Sequence, residues 1–111
     1  MYGIEAMHWA RVYHGVTALG NYIYVAGGFD DLSEVVKKCE RFDLQKKVWV
    51  ELDNADFDDF GEGVTLMSAK SRYVIAVGGA NVFNEFPDAE RIARLDTLKL
   101  HKGWQKLNLA I

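Results

Sequence analysis

The sequence predicts an all-β fold of two four-stranded antiparallel units, and three observations carry that reading. The run Tyr22-Ile23-Tyr24-Val25-Ala26 ends on Gly27-Gly28, and a second run, Tyr73-Val74-Ile75-Ala76-Val77, ends on Gly78-Gly79. A tryptophan follows each run at a similar remove, Trp49 and Trp104. The remaining apolar stretches are short, rich in β-branched residues and bounded by turn residues, as strands are.

Taken in order, residues 1–14 form a lead-in. Gly15-Val16-Thr17-Ala18-Leu19 is the first strand, Gly20-Asn21 a turn, and Tyr22 to Ala26 the returning strand of a hairpin. Phe29 to Ser33 is a loop, and Val35 to Asp43 a third strand. Leu44 to Lys47 turns the chain into Val48 to Leu52, which alternates as a half-buried strand does. After an acidic loop the plan repeats. Gly63 to Met67 matches the first strand, Ser68 to Arg72 is a turn, and Tyr73 to Gly79 matches the second strand. Ala80 to Ala89 is a longer loop, Glu90 to Asp96 matches the third strand, Thr97 to Lys102 is a turn, and Gly103 to Leu107 is the last strand. The offset grows from 48 residues (Gly15 to Gly63) to 51 (Gly27 to Gly78) and 55 (Trp49 to Trp104). Insertions confined to loops give such a drift when strands are the repeating unit. The units are expected at 15–61 and 62–111.

A period of about 50 residues with four strands per repeat marks a β-propeller blade. The motifs resemble kelch repeats, in which an apolar run ending in Gly-Gly is followed by an aromatic-Asp pair and then a Trp. The first copy supplies Gly27, Gly28, Phe42, Asp43 and Trp49, and the second Gly78, Gly79, Leu95, Asp96 and Trp104. The second copy departs from the pattern: Leu95 replaces the aromatic, and two extra residues separate Asp96 from Trp104. Met7 to Arg11 and His14-Gly15 also resemble the start of a kelch blade. Physically, paired glycines at a strand end reach backbone angles closed to other residues and let neighbouring sheets approach. The tryptophans offer surface to fill the gap between stacked sheets.

Propellers close with four to eight blades, and two are present. A two-blade unit leaves sheet faces bare. It is either part of a larger propeller or complex, or a homo-oligomer that closes its own ring, or poorly folded alone.

The bulk properties exclude several classes. A net charge of -3 argues against a general nucleic-acid binder. Cys39 is the single cysteine, which excludes an internal disulfide and points to a reducing, cytoplasmic compartment. No apolar run is long enough to span a membrane, and no signal-peptide pattern opens the chain.

No catalytic or metal constellation emerges, and neither a cofactor nor an enzymatic activity is expected. His8, His14 and His101 lack metal-ligand spacing with Cys39 or an acidic residue. His14, where the first strand begins, is expected to make a structural hydrogen bond. Cys39 adjoins Glu40, whose charge raises a thiol pKa, so a reactive thiolate is not expected. Asp56-Phe57-Asp58 begins like a calcium loop, but Phe60 falls where a further oxygen ligand is needed. The kelch resemblance implies an interaction module, adaptor or scaffold. A structural subunit of a large assembly is the alternative, and a kelch-like enzyme stands last.

Charge is the informative feature. Strand order places Asp30, Asp31, Glu34, Asp53, Asp56, Asp58, Asp59, Glu62, Glu85 and Asp88 on one rim, with Phe29, Phe57, Phe60, Phe83 and Phe86 among them. Lys46, Lys47, Lys70, Arg72, Lys99, His101 and Lys102 fall on the other. Aromatic groups ringed by carboxylates suit a basic protein partner.

Overall fold

The computed structural model describes residues 11, 14–32, 34, 36–52, 64–78 and 92–107 of the chain. Two four-stranded antiparallel sheets stack face to face. The first runs β1 (Gly15–Leu19), β2 (Tyr22–Ala26), β3 (Glu40–Asp43) and β4 (Val48–Glu51), paired in sequence order. The second runs β5 (Thr65–Ala69), β6 (Tyr73–Val77), β7 (Ile92–Asp96) and β8 (Trp104–Lys106), with the same order. This is the expected all-β pair of blades, and the stack is partial and unclosed.

The registers of the two sheets superpose. Tyr22 pairs with Asp43 and Tyr73 with Asp96; Tyr24 pairs with Arg41 and Ile75 with Arg94; Phe42 pairs with Trp49 and Leu95 with Trp104. Alternation therefore gives every residue a counterpart one blade along. The seam between sheets is closed from the first sheet by Tyr24, Ala26 and Cys39, and from the second by Leu66, Val74, Ala76, Ala93 and Leu95, all buried. Leu19, Tyr22, Leu100 and Trp104 pack around its edge. The outer face of the second sheet presents Met67, Tyr73, Ile75, Val77 and Arg94, exposed or half-buried. These are counterparts of first-sheet residues that line the seam.

Boundaries differ from expectation at several places. The third strand begins at Glu40, not Val35. Gly27 and Gly28 take φ of +76° and +87°, which carries the chain out of the extended conformation beyond Ala26, and Val36 N–H donates to Gly28 O at 2.9 Å, outside the ladder. The fifth strand runs on to Ala69 because Lys70 and Ser71, at φ +53° and +54°, complete a tight turn closed by Arg72 N–H to Ala69 O at 3.1 Å. The turn after β7 contains a 3₁₀ helix, Leu100–Lys102, that sequence did not announce. The last strand is limited to Trp104–Lys106, although Leu107 N–H still reaches Ile92 O at 2.7 Å.

The two sheets come into tight contact at Gly15. A Cβ built on Gly15 would lie 2.8 Å from Leu66 Cγ and 2.9 Å from Val64 O. The glycine pair of the first blade takes the left-handed backbone expected of it, and Gly15 is a further glycine at which the sheets come into close contact.

Candidate functional site

Antiparallel order sends the β1–β2, β3–β4, β5–β6 and β7–β8 turns to one end of the stack, and the β2–β3 loop to the other. At the second end stands the described part of the acidic rim. Asp30 Oδ1 accepts from Leu32 N–H at 2.9 Å and Glu34 N–H at 3.0 Å, and Asp30 N–H donates to Glu34 O at 2.9 Å. Asp30 thus orders the loop from within. Phe29 is half-buried, Asp31 is exposed, and Leu32 is 75% exposed. Asp56, Phe57, Asp58, Asp59, Phe60, Phe83, Phe86 and Gly79 lie outside the described residues.

The tryptophans, placed alike by sequence, are used differently. Trp104 packs against the seam beside Leu95, which is fully buried. Trp49 lies on the face of the first sheet turned away from the seam, its ring tilted 54° on Phe42 at 5.1 Å. Trp104 thus fills the gap between these two sheets, whereas Trp49 stands on the equivalent face of the first sheet, where no neighbouring sheet lies among the described residues.

The aspartates at the ends of β3 and β7 also diverge. Asp43 Oδ1 accepts from Gln45 and Lys46 N–H at 2.9 and 3.0 Å, and these bonds, that from Lys46 foremost, hold its carboxyl below the usual range. Asp96 receives Arg72 through both oxygens, at 2.8 and 2.7 Å, and the amide of Leu98. The arginine contact above all lowers its pKa to about 2. In the first sheet Asn21 occupies the position of Arg72.

On the face of the first sheet away from the seam, Arg11 is buried with its Nη2 2.8 Å from Glu40 Oε2, and both side chains are fully shielded. Its Nη1 donates to Lys38 O at 2.8 Å and Gly27 O at 3.3 Å. This clamp ties the segment before β1 to the glycine bend, and the sequence reading missed it. The available signal was a glutamate at an inward-facing strand position, which requires a cation. Next to it, His14 is half-buried. The ring makes the expected structural hydrogen bond, to the backbone of Arg11, while its Nδ1 has no partner among the described residues; burial, then the Arg11 charge, lower its pKa. Cys39 is fully buried and its thiol is pushed up to about 12. Desolvation is the main cause; Glu40, the cause read from sequence, contributes less. Among the described residues no group of His, Cys, Asp or Glu has the makings of a metal site. No helix among them is long and apolar enough to cross a membrane.

At the turn end, Gly20, Asn21 and Gln45 of the first sheet meet Ser71, Thr97 and Leu98 of the second around a cleft of about 290 Å³. Lys46, Lys47, Lys70, Lys99, His101 and Lys102 are exposed on the turns at this end.

Stacked four-stranded sheets with inner-to-outer strand order, matched register and turns alternating between two ends are β-propeller blades. Residues 10–54, essentially the first sheet, match the Kelch motif family. The chain is 31% identical over 104 residues to Kelch-like protein 13 of Bos taurus and of Homo sapiens, an alignment covering 81% of this chain and 15% of each relative. The chain belongs to the kelch-repeat family, and it spans about 15% of the length of these relatives.

Proposed function

We propose that the chain is a non-enzymatic protein-interaction module of the kelch-propeller type, acting in the cytoplasm. It receives a basic protein partner on the acidic rim, through Phe29, Asp30 and Asp31 together with Asp56, Phe57, Asp58, Asp59, Phe60, Phe83 and Phe86. The observation that carries this reading is the β2–β3 loop. Asp30 orders it from within, and it presents Asp31 and Leu32 outward. An ordered loop with charged and apolar groups exposed loses little entropy on binding. Carboxylates around such a loop accelerate encounter with a cationic surface.

The test reverses charge. A partner captured by the chain is compared on the native protein and on Asp56→Lys/Asp58→Lys/Asp59→Lys at low and high salt. Association slows at least tenfold at low salt, and the difference shrinks as salt screens the charges. Equal rates at low salt refute the assignment of the rim.

A second reading, a structural element of a larger propeller or complex or a self-closed homo-oligomer, is favoured by the outer face of the second sheet, where Met67 is 45% exposed. Molar mass in solution separates the cases. A dimer or trimer closes its own ring, whereas a monomer that binds a hydrophobic dye is an open unit.

A further inference from the structure

The turns at one end of the stack carry an excess of positive charge. Lys46, Lys47, Lys70, Lys99 and Lys102 are exposed there, and none of them is in a salt bridge among the described residues. The carboxylates on the described part of this end are Asp43 and Asp96. Asp43 gives Oδ1 to the amides of Gln45 and Lys46, and Asp96 gives both oxygens to Arg72. They temper the charge of Lys46 and Lys99 and leave the lysines in the majority. The same turns expose aliphatic side chains: Leu44 is 45% exposed and Leu98 74%. Leu44 is followed by Gln45, Lys46 and Lys47, and Leu98 by Lys99. The tips are held in place. Leu44 N–H donates to Asn21 O at 2.9 Å, Thr97 N–H to Arg72 O at 3.0 Å, and Leu98 N–H to Asp96 Oδ1 at 3.0 Å. The backbone thus fixes where each leucine and lysine leaves the surface, while the side chains stand in solvent.

The residue types decide among partners. Interfaces between folded proteins favour aromatic residues and arginine and are poor in lysine. The turns at 20–21, 44–47, 70–72 and 97–103 contain no aromatic residue, and their one arginine, Arg72, is bound to Asp96. A nucleic acid meets lysines with its phosphates and leaves the leucines in water. An anionic bilayer meets both. Its headgroups attract lysines that come within a Debye length, and apolar side chains on protruding tips enter the boundary of the acyl chains. A lysine is a point charge on a flexible stem, so it follows mobile headgroups, whereas a fixed carboxylate selects the planar fork of arginine. The β1–β2, β3–β4, β5–β6 and β7–β8 turns all emerge at this end, so such a contact is end-on and the β2–β3 loop faces away from it.

We propose that the turn end is a docking surface for an anionic lipid membrane, with the exposed lysines on the headgroups and Leu44 and Leu98 entering beneath them. It lies opposite the acidic rim, so a protein held there and a membrane held here do not compete, and the two assignments fail separately.

The test is flotation of the full chain with vesicles of phosphatidylcholine alone and of phosphatidylcholine with about 30% phosphatidylserine. At low salt the chain binds the anionic vesicles at least tenfold more tightly than the neutral ones, and the preference shrinks as salt is raised. Lys46→Glu/Lys99→Glu/Lys102→Glu lowers affinity for the anionic vesicles at least tenfold. Leu44→Ser/Leu98→Ser keeps the charge and alters exposed side chains, and it lowers that affinity at least threefold. It also decides the matter should the lysine variant fail to fold. Lys37→Glu, a reversal on an exposed residue of the opposite end, leaves affinity within twofold. Equal binding to the two kinds of vesicle, retained affinity in either folded turn variant, or a loss in Lys37→Glu as large as that in the lysine variant overturns the proposal. Polyglutamate or a DNA duplex that binds the chain more tightly than the anionic vesicles do overturns the assignment to lipid.

Discussion

Replacing Gly15 by alanine tests the way the two sheets are joined, because two physical effects on that substitution have opposite signs. Glycine within a strand is less favourable than alanine by about 0.5–1 kcal/mol, so at a site with room the substitution stabilises. At Gly15 the added methyl meets Leu66 Cγ at 2.8 Å and Val64 O at 2.9 Å, with Val64 Cγ1 at 3.3 Å. The first is the branch point of a buried side chain and the second is backbone, so neither yields by a simple rotation. Overpacking of that kind costs about 1–3 kcal/mol, which outweighs the propensity gain. Net of that gain the cost is about 1 kcal/mol at the centre of these ranges, and with a urea m-value of about 2 kcal/mol/M for a small domain the midpoint falls by roughly 0.6 M. The assay is urea unfolding followed by tryptophan fluorescence, with Trp104 at the seam as a reporter. Gly15→Ala/Leu66→Ala adds a diagnostic. Leu66→Ala alone costs about 2–5 kcal/mol, and the double variant is less destabilised than the sum of the singles because the methyl then occupies vacated space. An unchanged or raised midpoint for Gly15→Ala refutes the seam geometry.

Other consequences are open to measurement. Arg11→Met, which removes the 2.8 Å partner of buried Glu40, lowers stability by about 3–5 kcal/mol, and Arg11→Met/Glu40→Gln recovers part of the loss in the same urea assay. With its pKa raised to about 12 by burial, Cys39 reacts with a thiol reagent at pH 8 at least a hundredfold more slowly in the native chain than in urea; comparable rates contradict its burial. Asp96, lowered to about 2, contributes stability that is fully present above about pH 4 and is lost as pH falls through 2, since the unfolded chain takes up the proton first. Asp96→Asn removes that part of the acid dependence. His14, lowered by burial and by Arg11, adds a loss beginning as pH drops below about 6.5, and His14→Gln flattens the stability profile there.

Much of the fold was legible because strand signals are local. Tyr22 to Ala26 and Tyr73 to Val77 read directly as strands, and the repetition of Gly-Gly, Asp and Trp set the register of the second sheet against the first. The start of β3 was misjudged because Val35 and Val36 are apolar and β-branched and look like strand. Their pairing is decided by the left-handed glycines on the partner side, 8 residues before Val36 in the case of Gly28. What escaped the sequence was relational. The Arg11–Glu40 clamp joins residues 29 apart, and nothing in either neighbourhood announces the other. The difference between Trp49 and Trp104 arises from which face has a neighbour, a property of the stack and not of either motif. Of the rim residues named from sequence, Phe29, Asp30 and Asp31 fall among the described residues, and Asp30 acts on its own loop.

The equivalence of faces between the sheets has a geometric consequence. The surface by which the first sheet meets the second is repeated on the outside of the second, whereas the outside of the first carries the Arg11–Glu40 ion pair. The two terminal surfaces are therefore unlike, and the stack has polarity, as a filament does. Any further sheet that follows the same rule joins heterologously, its back to the open front, and each addition turns through the same angle. Whether such additions close into a ring or run on as a helix is set by whether that rotation closes.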